Sequence, residues 1–482
     1  MKPTRFGILS LFVVLSISVT GTGPVWGQIF DQGLGGDDVL GGTDDLGDTT
    51  NSLDGTDLET QEPQVAFENA VRNAEQLMEQ EKWTEAIEAF NAALALNRAF
   101  APAFLGQGRC YQELGSDEDA IAAYSRAIIA PGAAARYVGL IPQARRERGR
   151  LYIKTGRYRE AGEDLNQAVA LDPSNAENYY LQGKALLRLV LTSAGGGADA
   201  SGQRSLLAAL NGLTRAIDIQ PGYGDAHLER GRVLMRIREL DLAIDDLKLA
   251  AQGLGAGSPA AADLAMAYIQ RANIEASTPD GDSNEIVSDL RAGLKSMDDF
   301  IANNEPVKTM PWDSRDPTDM TVEGVMLSRA EALTTLANET QGDEQKQALY
   351  DAAIQDCDAV LEISDEFTDQ ARAHFDRGHA LRMKEDLDGA IDAYTKALEL
   401  VPSYSEANLR RGICYFNLED YDAALQDFEA ASNDLRNPYV PEARAMLWTG
   451  LTHSQLGDNL NAIRAYTRAL KANPGYINAH LN

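Results

Sequence analysis

The 482-residue chain has few cysteines, few histidines and too few positive charges to balance its acids. It contains three cysteines, five histidines and 43 basic against 73 acidic side chains, a formal net charge of −30. Three scattered cysteines exclude a disulfide framework, and no set of cysteines and histidines has the spacing of a zinc module. An excess of negative charge repels a phosphate backbone, so we expect no nucleic acid among the partners. A hydrophobic content of 44% excludes wholesale disorder.

Long apolar runs are absent except near the N-terminus. Residues 6–19 form an apolar run of 14 residues, preceded by two basic residues and followed by small and polar ones. This order is typical of a secretory signal peptide over residues 1–27, and the run is shorter than the ~20 residues that span a bilayer. We therefore expect a periplasmic or secreted protein without stable membrane insertion, with a retained signal anchor as the alternative.

The segment after the signal peptide has no basic residues. Residues 28–62 are rich in Gly, Asp and Thr and carry ten acidic residues. Low hydrophobicity with high net charge predicts a disordered acidic spacer. Its stretch GGDDVLGGTDDLGD is faintly similar to calcium-binding nonapeptide repeats, but it lacks their nine-residue spacing and consecutive copies. The pattern favours a spacer over a calcium site.

After Pro63 a pattern of about 34 residues repeats along the chain. Clear copies are HFDRGHALRMKEDLDGAIDAYTKALELVP, from His374, and NLRRGICYFNLEDYDAALQDFEAA, from Asn408. Small residues recur at the eighth, twentieth and twenty-seventh positions, large ones at the eleventh and twenty-fourth, and proline at the thirty-second. Small residues let two helices approach closely, large ones fill the space beside them, and proline ends the second helix.

This pattern resembles the tetratricopeptide repeat family. The resemblance implies an all-α fold, a right-handed α-solenoid of about ten helix-turn-helix repeats. We predict an N-terminal array over 64–257, degenerate repeat-like helices over 258–370 with a hinge at 305–319, and a C-terminal array over 371–482. An inserted loop is expected at 192–203, and the last repeat is expected to expose apolar area around Tyr466 and Leu470 that supports self-association.

In the family, the second, fifth, ninth, twelfth and thirteenth positions line the concave groove. In repeats two to five these positions carry eight basic residues, against Glu113, Glu177 and Asp225: Arg109, Arg146, Arg150, Lys154, Lys184, Arg188, Arg232 and Arg236. In the last three repeats they carry apolar residues: Phe375, Leu409, Ile413, Phe416, Leu447 and Leu451. The basic stripe has two interpretations. Either it focuses a positive field on an acidic peptide, or its cations pair with acids on adjacent helices.

Residues that could carry out catalysis are scattered. No nucleophile, metal-binding or nucleotide-binding motif appears in a suitable context, and the histidines and cysteines occupy helix-packing positions. We therefore predict no catalytic residue, no metal ligand and no cofactor. The predicted function is a non-catalytic scaffold that binds a protein or peptide segment in an envelope or secretory setting. The alternatives are an envelope-assembly factor that binds an anionic polysaccharide, and an enzyme with an unrecognised site in 258–370.

Overall fold

A computed structural model describes residues 56–131, 137, 139–193, 199–278, 281–305, 320–432 and 441–473. Within these ranges the chain forms twenty helices and no strand, as the repeat pattern predicts. The predicted signal peptide, nearly all of the acidic spacer, and the predicted hinge beyond Glu305 lie outside the described residues.

The first ten helices form five consecutive pairs. Their bounds are α1 Thr56–Glu79, α2 Trp83–Leu96, α3 Ala101–Glu113, α4 Asp117–Ile129, α5 Leu140–Lys154, α6 Tyr158–Leu171, α7 Ala176–Thr192, α8 Ala200–Ile219, α9 Gly224–Arg236 and α10 Leu240–Leu254. Each first helix packs against the second helix of its own pair and against the second helix of the preceding pair. The pairs therefore stack in chain order.

The second ten helices continue the stack. Their bounds are α11 Pro259–Ala276, α12 Ser283–Ala302, α13 Val322–Glu339, α14 Asp343–Ile363, α15 Phe367–Met383, α16 Leu387–Leu400, α17 Ser405–Asn417, α18 Tyr421–Ser432, α19 Pro441–Gln455 and α20 Asn459–Ala472. The degenerate region thus forms two ordinary pairs, α11–α12 and α13–α14. Phe300 on α12 and Val325 on α13 share one hydrophobic core, so the stack continues across the predicted hinge.

A glycine at the eighth position permits close contact within most of the pairs. A Cβ atom added at Gly378 would lie 2.9 Å from the ring of Tyr394, and one added at Gly412 would lie 2.7 Å from the ring of Phe428. Tyr394 and Phe428 occupy the twenty-fourth position and are fully buried. The predicted match of a small residue on one helix with a large residue on the next is confirmed, and it brings the two helices together.

A buried ion pair, which the sequence analysis did not identify, joins neighbouring repeats. On α17, the Arg411 guanidinium donates to both carboxylate oxygens of Asp427 at 2.7 and 2.8 Å and to the hydroxyl of Thr395, in the preceding repeat, at 2.9 Å. Equivalent trios are Arg148 with Asp164 and Ser125, and Arg230 with Asp246 and Thr214. Because a bidentate pair fixes geometry, each trio sets the register between two repeats.

Two predicted boundaries are wrong. Helix α1 begins at Thr56, so the helical array extends into the C-terminal end of the predicted spacer; residues 56–62 include the good helix formers Leu, Glu and Gln. Helix α8 begins at Ala200, inside the predicted loop 192–203, because the Asp199 carboxylate accepts a hydrogen bond from the Gly202 N–H at 2.8 Å and caps the helix.

Candidate binding groove

The first helices of successive repeats lie side by side, and their common face forms a groove. Helix α7 contacts α5 and α9, and α9 contacts α11, in addition to the contacts with their own pair partners. Two adjoining cavities lie in the groove between α7, α9 and α11. We call the larger one, of about 610 Å³, the central cavity and the smaller one, of about 270 Å³, the side cavity; Arg232 lines both.

Acidic residues pair with most of the predicted basic stripe. Arg188 on α7 is only 1% exposed, and its two terminal nitrogens donate to the Glu229 carboxylate on α9 at 3.0 and 2.8 Å. Arg232 donates to Asp263 on α11 at 2.6 Å. Lys184 lies 3.8 Å from the Glu229 carboxylate. These contacts form a buried ionic network across three repeats.

The same pairing occurs further toward the N-terminus. The Glu177 carboxylate lies 3.0 Å from the Arg146 guanidinium and accepts a hydrogen bond from Arg150, and the Asp117 carboxylate accepts from Lys154 at 3.0 Å. Arg109 and Arg236 also interact with other residues. The predicted excess of positive charge is therefore largely neutralised, and the second interpretation of the stripe describes the structure. Several of the acids that neutralise these cations occupy the sixth position of their repeats, which is not among the groove positions used for the prediction: Glu147, Glu229 and Asp263.

Half of the predicted apolar stripe is buried in the core. Leu409 is 0% exposed, and Ile413 and Leu447 are also buried. The ring of Phe375 stacks on Tyr404 at a centroid distance of 4.8 Å. Phe416 contacts Trp448 edge to face at 5.3 Å, and Leu451 is partly buried against the last core cluster. Leu409, Ile413 and Leu447 are therefore core residues and do not line an open apolar groove as predicted, whereas Phe375, Phe416 and Leu451 are partly exposed.

Two titratable residues with shifted pKa values lie among the apolar residues of the C-terminal part of the groove. Burial raises the pKa of Asp376 on α15 to about 7, although Arg372 and Arg410 lie nearby. Burial lowers the pKa of His379 to about 3, and Arg410 adds to the effect. These residues occupy the sixth and ninth positions of their repeat. The sequence pattern placed His379 at a helix-packing position and gave no signal for Asp376.

The central cavity combines an apolar floor with a polar rim. Leu187, Leu191 and Leu240 line the floor. Exposed side chains of Arg236 and Arg238, the amides of Gln270 and Asn273, and Ile274 line the rim. Arg238 lies in the turn between α9 and α10 with a φ of +65°. Such a mixture suits a ligand that has both apolar and polar groups.

The three cysteines are buried thiols. Burial raises the pKa of Cys110 and of Cys414 to about 11, and it raises the pKa of Cys357 further. Because the thiolate is the reactive form, these side chains are chemically inert in the folded chain. Within the described ranges, no group of three or more His, Cys, Asp or Glu side chains could hold a metal ion. None of the twenty described helices is both long and apolar enough to cross a membrane.

The stacked pairs and the groove define a helical-repeat protein of the kind that generally acts as a protein-interaction scaffold. Two family models match the sequence. One, described as TPR repeat, matches residues 149–190, and the other, described as Tetratricopeptide repeat, matches 71–135, 343–405, 375–438 and 409–477. Together they cover about half of the chain. The chain belongs to the tetratricopeptide repeat family.

Two curated relatives are similar to parts of the chain. Tetratricopeptide repeat protein 13 from Homo sapiens is 31% identical over 125 residues, which are 25% of this chain and 14% of that protein. The lipoprotein NlpI homolog from Haemophilus influenzae is 34% identical over 80 residues, 16% of this chain and 24% of that protein. The chain therefore spans a quarter or less of the length of these relatives.

Solved structures are also similar to parts of the chain. A tetratricopeptide repeat protein from Parabacteroides merdae is 13% identical with a TM-score of 0.40, covering 61% of this chain and 96% of that one. YrrB, described as a TPR protein with an unusual peptide-binding site, is 19% identical with a TM-score of 0.34, covering 45% of this chain and 96% of that one.

Proposed function

We propose that the chain is a non-catalytic scaffold that holds a partner protein segment in the groove between α7, α9 and α11. The central cavity carries this proposal. Its volume of about 610 Å³ lies within the ~300–1,000 Å³ range of ligand pockets. It opens on the face formed by first helices, where repeats of this family generally bind their partners.

The chemistry of the cavity supports a peptide-like ligand. An aliphatic side chain of the partner would pack on Leu187 and Leu191, whereas the amides of Gln270 and Asn273 can hydrogen-bond to the polar backbone of an extended segment. The ionic network of Arg188, Glu229 and Arg232 holds the floor of the groove in one arrangement. Preorganisation of this kind lowers the entropic cost of binding.

Three further parts of the proposal rest on the sequence. The N-terminal apolar run supports export of the chain to a periplasmic or secreted location. Pairing of the groove cations with acids gives less support to an anionic polysaccharide than to a protein segment. Helices α11–α14 pack as two ordinary repeats, which supports binding over a catalytic domain in that region.

Paired substitutions of exposed aliphatic residues test the proposal. Ile274, at the cavity rim, is 42% exposed, and Leu242 on α10 is 57% exposed and lines neither cavity. Proteins from the source cells would be captured quantitatively on the wild-type chain and on the Ile274→Asp and Leu242→Asp variants. We expect the wild type and Leu242→Asp to retain the same partners and Ile274→Asp to lose them. Equal retention by all three would contradict the proposal.

A further inference from the structure

The side cavity and the central cavity follow each other along the same helices. On α7, Tyr180 lines the side cavity and Leu187, seven residues further on, lines the central cavity. On α9, Leu228 and Met235 are related in the same way. Seven residues are two helical turns, about 10 Å along the helix axis. The two cavities are therefore successive positions of one groove.

Each cavity offers apolar surface to a ligand. Leu228, Leu254 and Pro259 line the side cavity, and Leu254 is 38% exposed. Leu187 and Ile274 line the central cavity, and Ile274 is 42% exposed. Because removing apolar surface from water stabilises a complex, each cavity favours an aliphatic side chain of the ligand.

The spacing of the cavities matches one backbone conformation of a ligand. In a polyproline II segment, residues three positions apart lie on the same side at a distance of roughly 9 Å. In a β-strand, side chains on one face are roughly 7 or 13 Å apart. The amides of Gln270 and Asn273 can hydrogen-bond to the free backbone groups of a polyproline II segment, whereas a helix satisfies its own. The groove therefore fits an extended segment with two aliphatic residues three positions apart.

Positive charge lies at the end of the central cavity that is remote from the side cavity. Three arginines and one aspartate line the central cavity, and Arg232 already pairs with that aspartate, Asp263. Arg238, exposed in the turn after α9, makes no ion pair with another described residue. Turns with a similar positive φ carry glycine or glutamate, as at Gly156 and Glu385. Arg238 thus adds a cation that complements a carboxylate beside the side chain in the central cavity.

We propose that the partner segment is an extended, polyproline II-like stretch with two aliphatic residues three positions apart, one in each cavity, and an acidic residue against Arg238. The acidic residue adjoins the aliphatic residue of the central cavity, on the side away from the other aliphatic residue. This inference rests on the proposed function, because it specifies the chemistry of the segment that the groove holds.

A series of labelled synthetic peptides tests the spacing. Each peptide contains two leucines, each flanked on its outer side by an aspartate, with one, two or three prolines between the leucines. Fluorescence anisotropy with the full chain should show about tenfold tighter binding for two prolines than for one or three, because only that spacing places both leucines in cavities. Equal affinities across the series, or no binding, would overturn the inference. Tighter binding of a helical peptide with leucines seven residues apart would overturn it as well.

Variants of the chain test whether both cavities take part. Leu254→Asp in the side cavity and Ile274→Asp in the central cavity should each weaken binding of the two-proline peptide about tenfold. Leu249→Asp is the matched control, since Leu249 on α10 is 51% exposed and lines neither cavity. It should change the affinity little, and the circular dichroism spectra of all three variants should match that of the wild type. Weakening by Ile274→Asp alone would contradict a segment that spans both cavities.

Charge reversal in the turn tests the acidic residue. Exchanging the aspartates of the two-proline peptide for asparagines should weaken its binding to the wild type about tenfold and should not weaken its binding to Arg238→Glu. The control Arg215→Glu, at a 56% exposed position on α8 outside both cavities, should behave like the wild type. The turn tolerates glutamate, since Glu385 and Glu419 occupy equivalent turns with a similar positive φ. The same loss in all three chains would contradict the role of Arg238.

Two outcomes separate the inference from the proposed function. If no peptide of the series binds but Ile274→Asp still removes partners captured from the source cells, the inference fails and the groove function stands. If Ile274→Asp changes neither peptide binding nor capture, both fail.

Discussion

Adding one methyl group at Gly149 should destabilise the third repeat, whereas the same change at Gly162 should not. Both glycines lie inside helices of one pair, α5 and α6. A Cβ atom at Gly149 would lie 2.8 Å from Leu165 Cγ and 3.1 Å from a methyl carbon of the same side chain, but one at Gly162 would meet nothing within 4 Å. Carbon atoms prefer separations of about 3.5–4.0 Å, so Leu165, which is 0% exposed, would have to move.

The magnitudes follow from two opposing effects. Overpacking a core costs about 1–3 kcal/mol, and replacing glycine by alanine in a helix gains about 0.5–1 kcal/mol. Gly149→Ala should therefore lose about 1–2 kcal/mol in the free energy of unfolding, and Gly162→Ala should gain up to about 1 kcal/mol. The two variants should differ in sign.

Two measurements check this prediction. Urea unfolding followed by circular dichroism reports the whole chain, and hydrogen exchange of the α5 and α6 amides reports the repeat itself, since neighbouring repeats open partly independently. We expect faster exchange in α5 and α6 for Gly149→Ala and slower exchange for Gly162→Ala. Similar changes in both variants would refute the argument that the close approach of the two helices depends on glycine.

Three further predictions concern other parts of the chain. The three buried cysteines should not react with a thiol reagent at pH 8 in the folded chain and should all react after unfolding in urea; rapid reaction of any of them in the native state would contradict their inert placement. Because burial raises the pKa of Asp376 to about 7, the protonated carboxyl stabilises the fold fully below the unfolded pKa of about 4, and this stability is lost as the pH rises from there through about 7. Thermal melts should show Asp376→Asn stabilising the chain by up to about 4 kcal/mol at pH 8 and by little at pH 4, whereas equal effects at both would exclude this residue as the cause. Self-association through the last repeat should depend on Leu460 and Ile463, whose side chains on α20 are 61% and 62% exposed. It should not depend on Tyr466, the residue predicted from the sequence, because that side chain is only 7% exposed. Light scattering at tens of micromolar should show a smaller particle for Leu460→Asp with Ile463→Asp; a wild-type chain that is already a strict monomer would rule this surface out.

The helix pairs could be predicted from the sequence because their signal is local and repeated. Gly378 and Tyr394 stand sixteen residues apart in a pattern that recurs along the chain, and only closely packed helix pairs explain that spacing. The same sixteen-residue spacing separates Arg411 from Asp427, so the ion pair that joins the repeats was visible in the sequence as well.

The groove was predicted less well because its properties depend on contacts between repeats. Arg188 occupies a groove position on its own helix, which predicts an exposed cation. Its carboxylate partner Glu229 lies 41 residues further along the chain, on the first helix of the next repeat. Leu409 has a groove position in its own repeat and yet is completely buried. A pattern read along one helix at a time does not include the neighbour that neutralises or covers each residue.

Photo-cross-linking tests the central claim, that the partner segment lies in the central cavity, most directly. A photoreactive phenylalanine analogue would be placed at position 274, on the cavity rim, and separately at position 242 as the matched exposed control. After irradiation with the captured partner, mass spectrometry would identify the attached peptide. The proposed function predicts one defined partner segment cross-linked from position 274 and none from position 242. Cross-links from position 242 alone, or equal cross-links from both, would contradict it.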